Sequence, residues 1–346
     1  MSWEWSPLEL LALERFLGDL GLSRGPLTTR RIGDGHSNLT FLVSDGERQV
    51  VVRRPPPPPT PPGAHDVLRE ATLMGALRGT AVPVPTVLGI AQPGEVLDVP
   101  LFVMSHVVGP VVTTRTPDPL WNSADRRSIA NSLVDTLAAL HAVDWRARGL
   151  DGFGRPEGFN ERHRERMAGL VADEDGTPPD GFEAIDAWLA ANVPPESGAS
   201  VVHNDFRLGN VILAPDSPGR VAAVLDWELA TLGDPLFDVG YLLASYPVEG
   251  EKLTPTGAMG TAVFEQGYPT REELAQRYAS VTGRDLGNLR WYTAMVLWKL
   301  AVLYEYGRRR TAGAHGDPYY ADPAHVRSFL DAAHAAAGLI PTLRRV

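Results

Sequence analysis

The sequence has no cysteine among its 346 residues. A chain without cysteine has no disulfide framework, no thiolate metal site and no cysteine nucleophile. Such a composition suits a reducing compartment, and residues 1–5 lack the basic start of a secretory signal. We therefore expect a cytoplasmic protein.

Long apolar runs and an excess of positive charge are also missing. The most apolar late segment, residues 291–306, contains Lys299 and Glu305, so it predicts a buried helix and not a membrane span. Lysine and arginine total 32 against 42 acidic residues, which gives a formal net charge of −10. Because such a field repels nucleic acid at long range, we expect no nucleic-acid partner. Because the late apolar segment is not a membrane span, we expect no membrane partner either.

Two apolar, β-branched segments each end in acidic residues. Residues 201–202 precede Asp205, which is followed five residues later by Asn210, and residues 221–225 precede Asp226. The first spacing is that of a kinase catalytic loop, in which the Asp meets the substrate hydroxyl and the Asn holds a magnesium ion. Carboxylate and amide oxygens suit Mg²⁺. The ordered set predicts phosphoryl transfer, with Asp205 as the catalytic residue and Asn210 and Asp226 as metal ligands.

The chain resembles the aminoglycoside phosphotransferase-like kinase family from about residue 31 to its C-terminal helices. More narrowly, it resembles the branch akin to kinase domains beside or fused to acyl-CoA dehydrogenases. The residues that carry the resemblance are HND at 203–205, Asn210, LDWE at 225–228, GDP at 233–235 and Asp238. It implies a protein-kinase-like α+β fold with two lobes. Residues 1–105 would form a small, β-rich, nucleotide-binding lobe, and residues 106–346 a larger, mainly helical lobe for catalysis and acceptor binding.

A glycine-bearing turn precedes two predicted strands near the N-terminus. Two apolar runs around a Ser-Asp-Gly turn, within residues 39–53, predict a β-hairpin. The preceding Gly33 and Gly35 form either a plain turn or the loop with which kinases cover nucleotide phosphates. The downstream catalytic segment favours the phosphate loop, and the family resemblance adds Ser37 and Asn38 to it.

Arg53 ends the second strand of this hairpin, where kinases carry a lysine that contacts phosphates and pairs with a helix glutamate. Arginine keeps the charge and adds a planar fork that suits phosphate. Glu70, within a predicted helix at 67–77, is the expected partner. Arg54 is the alternative if the register along the strand differs by one residue.

The resulting hypothesis is transfer of the γ-phosphoryl group of ATP or GTP, with Mg²⁺, to a hydroxyl of a small molecule. As acceptor we favour a hydroxylated metabolite or a hydroxyacyl-CoA over an aminoglycoside, because residues 291–300 are rich in apolar side chains and offer a single cation. A catalytically inactive, nucleotide-binding regulatory module is the alternative. The sequence leaves open the choice between ATP and GTP, the oligomeric state, and whether Glu228 contacts a second metal or caps the following segment.

Overall fold

A computed structural model describes residues 5–33, 38–56, 65–118, 120, 122–173, 176–217, 219–311 and 318–339. The chain divides into two compact units. The first unit comprises Met1–Val108 and Ala222–Glu228, and the second comprises Gly109–Val221 and Leu229–Val346. The boundary predicted from the sequence lies near residue 105, and that prediction did not separate the short segment Ala222–Glu228 from the helical part. The assignment of functions to the two segments stays a prediction.

The first unit is built on a five-stranded sheet. Its helices are α1 (Pro7–Asp19) and α2 (Val67–Leu77), and its strands are β1 (Thr28–Arg31), β2 (Leu39–Ser44), β3 (Gln49–Arg54), β4 (Val87–Ala91) and β5 (Leu101–Ser105). The strand order is β1-β2-β3-β5-β4, and every neighbouring pair is antiparallel. The predicted hairpin is confirmed as β2 and β3, and the helix predicted at 67–77 as α2.

Helix α1 begins at a capping box and covers one face of this sheet. The Ser6 hydroxyl accepts a hydrogen bond from the Glu9 N–H, while the Glu9 carboxylate accepts one from the Ser6 N–H at 2.7 Å. This arrangement satisfies two backbone donors that the first helical turn leaves unpaired. Leu13 and Leu17 are fully buried against strand residues that include Phe41.

Strand alternation assigns the side chains of β3 to opposite faces of the sheet. Val50 and Val52 belong to the core under α1, and Arg54 shares their parity. The Arg54 guanidinium lies 5.2 Å from the ring centre of Trp5, on the α1 face. Arg53 therefore points to the opposite face, where α2 packs on β4 and β5.

The second unit is mainly helical. Its helices are α3 (Ser123–His141), α4 (Phe159–Val171), α5 (Glu183–Ala191), α6 (Leu236–Ala244), α7 (Pro255–Ala258), α8 (Arg271–Thr282), α9 (Leu289–Thr311) and α10 (Pro323–Ala336). Its strands are β6 (Ser200–Val202), β7 (Val211–Leu213) and β9 (Thr231–Gly233), and β8 (Val221–Val224) begins in this unit and ends in the first. Strands β6 and β9 pair antiparallel and hold the two loops that follow them in register.

Helix α9 is the central element of the second unit and packs against α4, α5, α6 and α10. Trp291, Tyr292 and Trp298 are buried in these contacts, which confirms the predicted buried helix. Gly240 lets α6 lie close to α9, because a Cβ at this position would lie 3.0 Å from the carbonyl carbon of Tyr292 in α9. Of the helices that the structure describes, none has the length and apolar character needed to cross a membrane.

Candidate active site

In the first unit, Arg53 is the centre of an ion-pair cluster. Its Nε donates to Glu70 Oε2 at 2.7 Å, and one Nη atom donates to Asp226 Oδ1 at 2.6 Å. The same Nη atom lies 3.4 Å from Glu228 Oε2, and the other donates to the Thr40 hydroxyl at 3.0 Å. The structure thus brings together three residues that the sequence analysis selected: Arg53 and Glu70 as a pair, and Asp226 as a separate metal ligand.

In the ion pairs of Arg53 found among the described residues, negative charge exceeds positive charge. One guanidinium faces three carboxylates, and the side chains of Arg53 and Glu70 are only 11% and 2% exposed. Burial by itself lowers the pKa of Arg53, but the attraction of Glu70, Asp226 and Glu228 outweighs it and raises that pKa, so the arginine stays charged. Burial also raises the pKa of Glu70, and Arg53 opposes that rise. The excess of negative charge favours the arrival of a further cation.

Asp226 follows β8 in a backbone conformation that few non-glycine residues adopt. Its φ angle is +66°, in the left-handed region. Such conformations cost free energy and cluster at functional sites. The following residue fixes the turn, since Trp227 is buried and its Nε1 donates to the Val224 carbonyl at 3.0 Å. The Asp226 side chain is 36% exposed, so it is accessible to a ligand from solvent.

Two of the four predicted phosphate-loop residues can be placed. Gly33 has a φ of +78°, which favours glycine. Asn38 is buried, and its Nδ2 donates to Glu228 Oε2 at 3.0 Å. No partner for the Asn38 Oδ1 atom is found among the residues the structure describes. Gly35 and Ser37 lie outside the described residues, so their predicted role stays a prediction.

The second unit holds the other predicted pair, Asp205 and Asn210. The Asn210 Nδ2 donates both to the Asp205 carbonyl at 2.8 Å and to its Oδ2 at 2.7 Å. Arg207 Nε lies 3.5 Å from Asp205 Oδ1, and the buried Tyr241 hydroxyl forms a hydrogen bond with the same carboxylate. The Asp205 N–H donates to His203 Nδ1 at 3.2 Å. These contacts hold the carboxylate in one orientation while leaving it 19% exposed.

Asp238, which is completely buried, braces the loop that carries Asp205. Its carboxylate accepts the N–H groups of His203 and Asn204, both at 2.7 Å, and contacts His141 Nε2 at 3.1 Å. The opposite nitrogen of His141 is hydrogen-bonded to the Tyr278 hydroxyl. Burial alone raises the pKa of Asp238, but hydrogen bonding and charge from His141 and His203 lower it below its usual value. The Asp238 carboxylate is therefore ionised and holds the backbone of the loop at His203 and Asn204.

Two residues that interact with Asp205, Tyr241 and Lys299, were not predicted as site residues from the sequence. Tyr241 lies in α6 and Lys299 in α9, both within apolar segments that read as core. Lys299 was the one available signal, because a lysine inside a buried helix needs a partner. Its Nζ lies 3.4 Å from the Asn204 Oδ1.

The predicted metal ligands fit Mg²⁺ in part. Among the described residues, no three His, Cys, Asp or Glu side chains form a complete metal site. Mg²⁺ needs no such cage, because proteins usually hold it with one or two carboxylates while phosphate and water supply the other oxygens. Asp226 provides an accessible carboxylate within a negatively charged cluster. The Asn210 amide nitrogen donates to Asp205, which leaves the amide oxygen to ligate a metal.

Comparison with known proteins agrees with this architecture. The mouse (Mus musculus) protein "Acyl-CoA dehydrogenase family member 10" is 32% identical over 298 residues, which is 85% of this chain but only 28% of that protein. A solved structure titled a "putative aminoglycoside phosphotransferase" from Ralstonia eutropha is 27% identical, covers 96% of this chain and 99% of its own, and has a TM-score of 0.79. A ternary complex of the aminoglycoside phosphotransferase APH(4)-Ia with AMP-PNP and hygromycin B is 17% identical, covers 94% and 98%, and has a TM-score of 0.60.

These likenesses confirm the predicted kinase-like α+β fold, with an antiparallel β-rich N-terminal part and a helical C-terminal part. The chain spans about a third or less of the length of the acyl-CoA dehydrogenase family member, so the resemblance concerns one segment of that protein. A family model described as "Phosphotransferase enzyme family" matches residues 28–292. Because this match covers most of the chain, the protein belongs to the phosphotransferase enzyme family.

Proposed function

We propose that the protein transfers the γ-phosphoryl group of ATP or GTP to a hydroxyl of a small molecule. The observation that carries the proposal is Arg53, a buried guanidinium that pairs with Glu70 as the kinase lysine pairs with its helix glutamate. Arg53 also contacts Asp226. Family membership supports the same reaction class. The ternary complex of APH(4)-Ia with AMP-PNP and hygromycin B shows that a protein of this fold binds an ATP analogue.

In this proposal the first unit holds the nucleotide. Arg53 contacts the phosphates with its planar fork, and Glu70 keeps the guanidinium in place. The segment from Gly33 to Asn38 is the proposed phosphate loop, and the roles of Gly35 and Ser37 in it stay predictions.

The predicted magnesium ligands, Asp226 and Asn210, stay part of this proposal. When bound, the ion neutralises the charge that develops on the phosphates.

Asp205 is the proposed catalytic residue. The bond between the γ-phosphorus and its bridging oxygen breaks as the acceptor oxygen bonds to the phosphorus, and the acceptor proton passes to the Asp205 carboxylate. Asn210 and Tyr241 hold that carboxylate in place, so little orientation entropy is lost when the acceptor binds. The left-handed conformation of Asn204, at φ +65°, turns the chain so that Asp205 follows directly.

For the acceptor we favour a hydroxylated metabolite, with hydroxyacyl thioesters as a specific class, over an aminoglycoside. The similarity to an acyl-CoA dehydrogenase family member supports this choice by analogy. The composition of α9 supports it as well, because a polycation requires many carboxylates and the buried part of this helix provides aromatic side chains and one lysine.

The proposal can be tested by measuring nucleoside diphosphate release with ATP or GTP across aminoglycosides, sugars, amino alcohols and hydroxyacyl thioesters. Asp205→Asn should lower turnover by roughly 10²-fold or more, because an amide cannot take the proton, while nucleotide affinity is maintained. Asp216→Asn is the matched control, since this side chain is 80% exposed and pairs only with Arg220 among the described residues.

Three results would count against the proposal. An Asp205→Asn variant with full turnover excludes the assigned catalytic residue. Wild-type protein that binds Mg-nucleotide yet turns over no acceptor supports the regulatory module. Turnover on an aminoglycoside with micromolar KM, unaffected by hydroxyacyl thioesters, reverses the acceptor preference.

A further inference from the structure

Lys299 is a buried cation at the centre of the second unit. It lies in the middle of α9 and is 5% exposed. Its one hydrogen bond, among the residues the structure describes, is a long contact of 3.4 Å from Nζ to Asn204 Oδ1. An ammonium group has three donors, and removing it from water costs free energy that one weak bond does not repay. A helix that needed only packing would carry an apolar residue here.

The groups facing Lys299 come from three elements. Asp205 on the catalytic loop and Asp238 on α6 attract the ammonium, whereas Arg166 on α4 repels it. Burial lowers the pKa of Lys299 to about 8, and these two carboxylates oppose that shift, so the lysine is mostly charged at neutral pH. His163 on α4 is also buried, and burial together with Lys299 and Arg166 holds its pKa well below the usual value. His163 therefore stays neutral and adds no positive charge beside Lys299.

Asn204, the residue that Lys299 contacts, is the point at which the loop turns toward Asp205. Its backbone has a φ of +65°, and its N–H donates to Asp238 Oδ1 at 2.7 Å. Its Nδ2 donates to the Leu229 carbonyl at 3.1 Å, which leaves Oδ1 for the lysine. Both polar atoms of the Asn204 amide are therefore hydrogen-bonded. The orientation of Asn204 determines where the carboxylate of Asp205 lies.

We propose that Lys299 is a positioning residue whose buried ammonium holds Asn204 and thereby fixes the Asp205 carboxylate for the acceptor hydroxyl. The inference rests on the proposed function for its kinetic consequence, but its structural part concerns the loop alone. Lys299 is retained for turnover at a cost in stability. An uncharged side chain of the same length should therefore leave the fold as stable or more stable while the reaction becomes slower.

The test uses Lys299→Met, which keeps the length of the side chain, and Lys299→Arg, which keeps its charge. Glu305→Gln is the matched control, because Glu305 is a buried charged residue on the same helix whose ion pairs, within the described part of the chain, are with Arg308 and Arg309. For each full-length variant we would measure the melting temperature, the Kd of Mg-nucleotide, kcat and KM. Hydrogen exchange of the His203 and Asn204 amides reports on the loop without any turnover.

Lys299→Met should have an unchanged or higher melting temperature and an unchanged nucleotide Kd. Its kcat should fall between about tenfold and a hundredfold, because misplacing a reacting group by about 1 Å has effects of that size. Its His203 and Asn204 amides should exchange faster than in wild type, and Lys299→Arg should restore part of both losses. Glu305→Gln should lower the melting temperature and leave kcat and loop exchange as in wild type.

Unchanged kcat and unchanged loop exchange in Lys299→Met would overturn the inference. A parallel fall in melting temperature and kcat, with no restoration by Lys299→Arg, would also overturn it by showing a purely structural role. If wild type turns over no acceptor, the proposed function fails while the exchange rates still decide whether Lys299 holds the loop. A variant with faster loop exchange but normal kcat would refute the kinetic part.

Discussion

Arg53 and Arg54 are adjacent in the sequence and lie on opposite faces of the sheet in the first unit. Arg53 meets Glu70 and Asp226, whereas Arg54 packs over the rings of Trp5 and Phe41 at 5.2 and 5.5 Å. Because strand residues alternate between faces, only one of the two can reach the carboxylates. The two arginines therefore make a matched pair for separating nucleotide binding from packing.

Arg53→Ala should raise the nucleotide KM and lower turnover, because the phosphates lose their cation. It should also lower the free energy of unfolding by about 3–5 kcal/mol, since Glu70 is left buried without a cation. Arg53→Lys should retain substantial activity, because it keeps the charge. Steady-state kinetics and urea denaturation measure the two effects.

Arg54→Ala is the control and should leave the nucleotide KM unchanged while lowering stability by the lost packing over Trp5, about 0.5–2 kcal/mol. A silent Arg53→Ala together with a crippling Arg54→Ala would move the phosphate contact to Arg54. The pair of Arg53 and Glu70 was predicted from the position of the corresponding lysine and glutamate in kinases. The contact with Asp226 could not be predicted, because that contact joins residues far apart in the chain.

Lys299 gives a pH dependence whose sign follows from its burial. Its pKa is about 8 in the folded protein against an ordinary 10.5. Between these values the unfolded chain binds the proton and the folded protein does not, so raising the pH favours folding. The free energy of unfolding of wild type, relative to Lys299→Met, should therefore rise between about pH 8 and 10.5 by roughly 3 kcal/mol. Urea titrations of both proteins across this range measure it, and a flat difference would show that the pKa is not lowered.

At the scale of elements, local sequence patterns predicted helices and hairpins, whereas the packing contacts between distant segments could not be predicted. The Asp-Gly turn and the helix predicted at 67–77 each depend on neighbouring residues, and the β2–β3 hairpin and α2 agree with them. The spacing of Asp205 and Asn210 likewise predicted that the two residues lie together, and their side chains are hydrogen-bonded. Which face of α9 meets the loop, and therefore the position of Lys299, depends on contacts between distant segments.

The close packing of α6 on α9 can be tested with two glycines. Gly240→Ala should lower the free energy of unfolding by about 1–3 kcal/mol, because its Cβ would press on the backbone of Tyr292 and Thr293, at 3.0 and 3.1 Å. Gly75→Ala in α2 should instead stabilise by about 0.5–1 kcal/mol, since a Cβ there meets nothing within 4 Å. Urea denaturation compares the two, and equal effects would contradict the close approach of the helices.

At the scale of the whole molecule, ligand binding should appear as a gain in global stability. With Mg-nucleotide at about a hundred times its Kd, the free energy of unfolding should rise by roughly 2.7 kcal/mol. Asp226→Ala should abolish most of this gain, because the proposed metal ligand is lost. Thermal denaturation with and without Mg-nucleotide measures it, with the exposed Asp216→Ala as control. An Asp226→Ala protein that gains as much as wild type would exclude Asp226 as a ligand.

The first unit is assembled from two separate stretches of chain, and the second stretch, Ala222–Glu228, carries Asp226 and the buried Trp227, whose backbone N–H is hydrogen-bonded to Glu70. During synthesis on the ribosome, domains usually fold from the N-terminus as they emerge. We expect this protein to depart from that order, because Trp227, which is buried in the first unit, has not yet emerged when residues 1–108 leave the ribosome. The nascent first unit would then lack this segment while Gly109–Val221 is translated, and we expect its exposed apolar surface to bind chaperones during that interval.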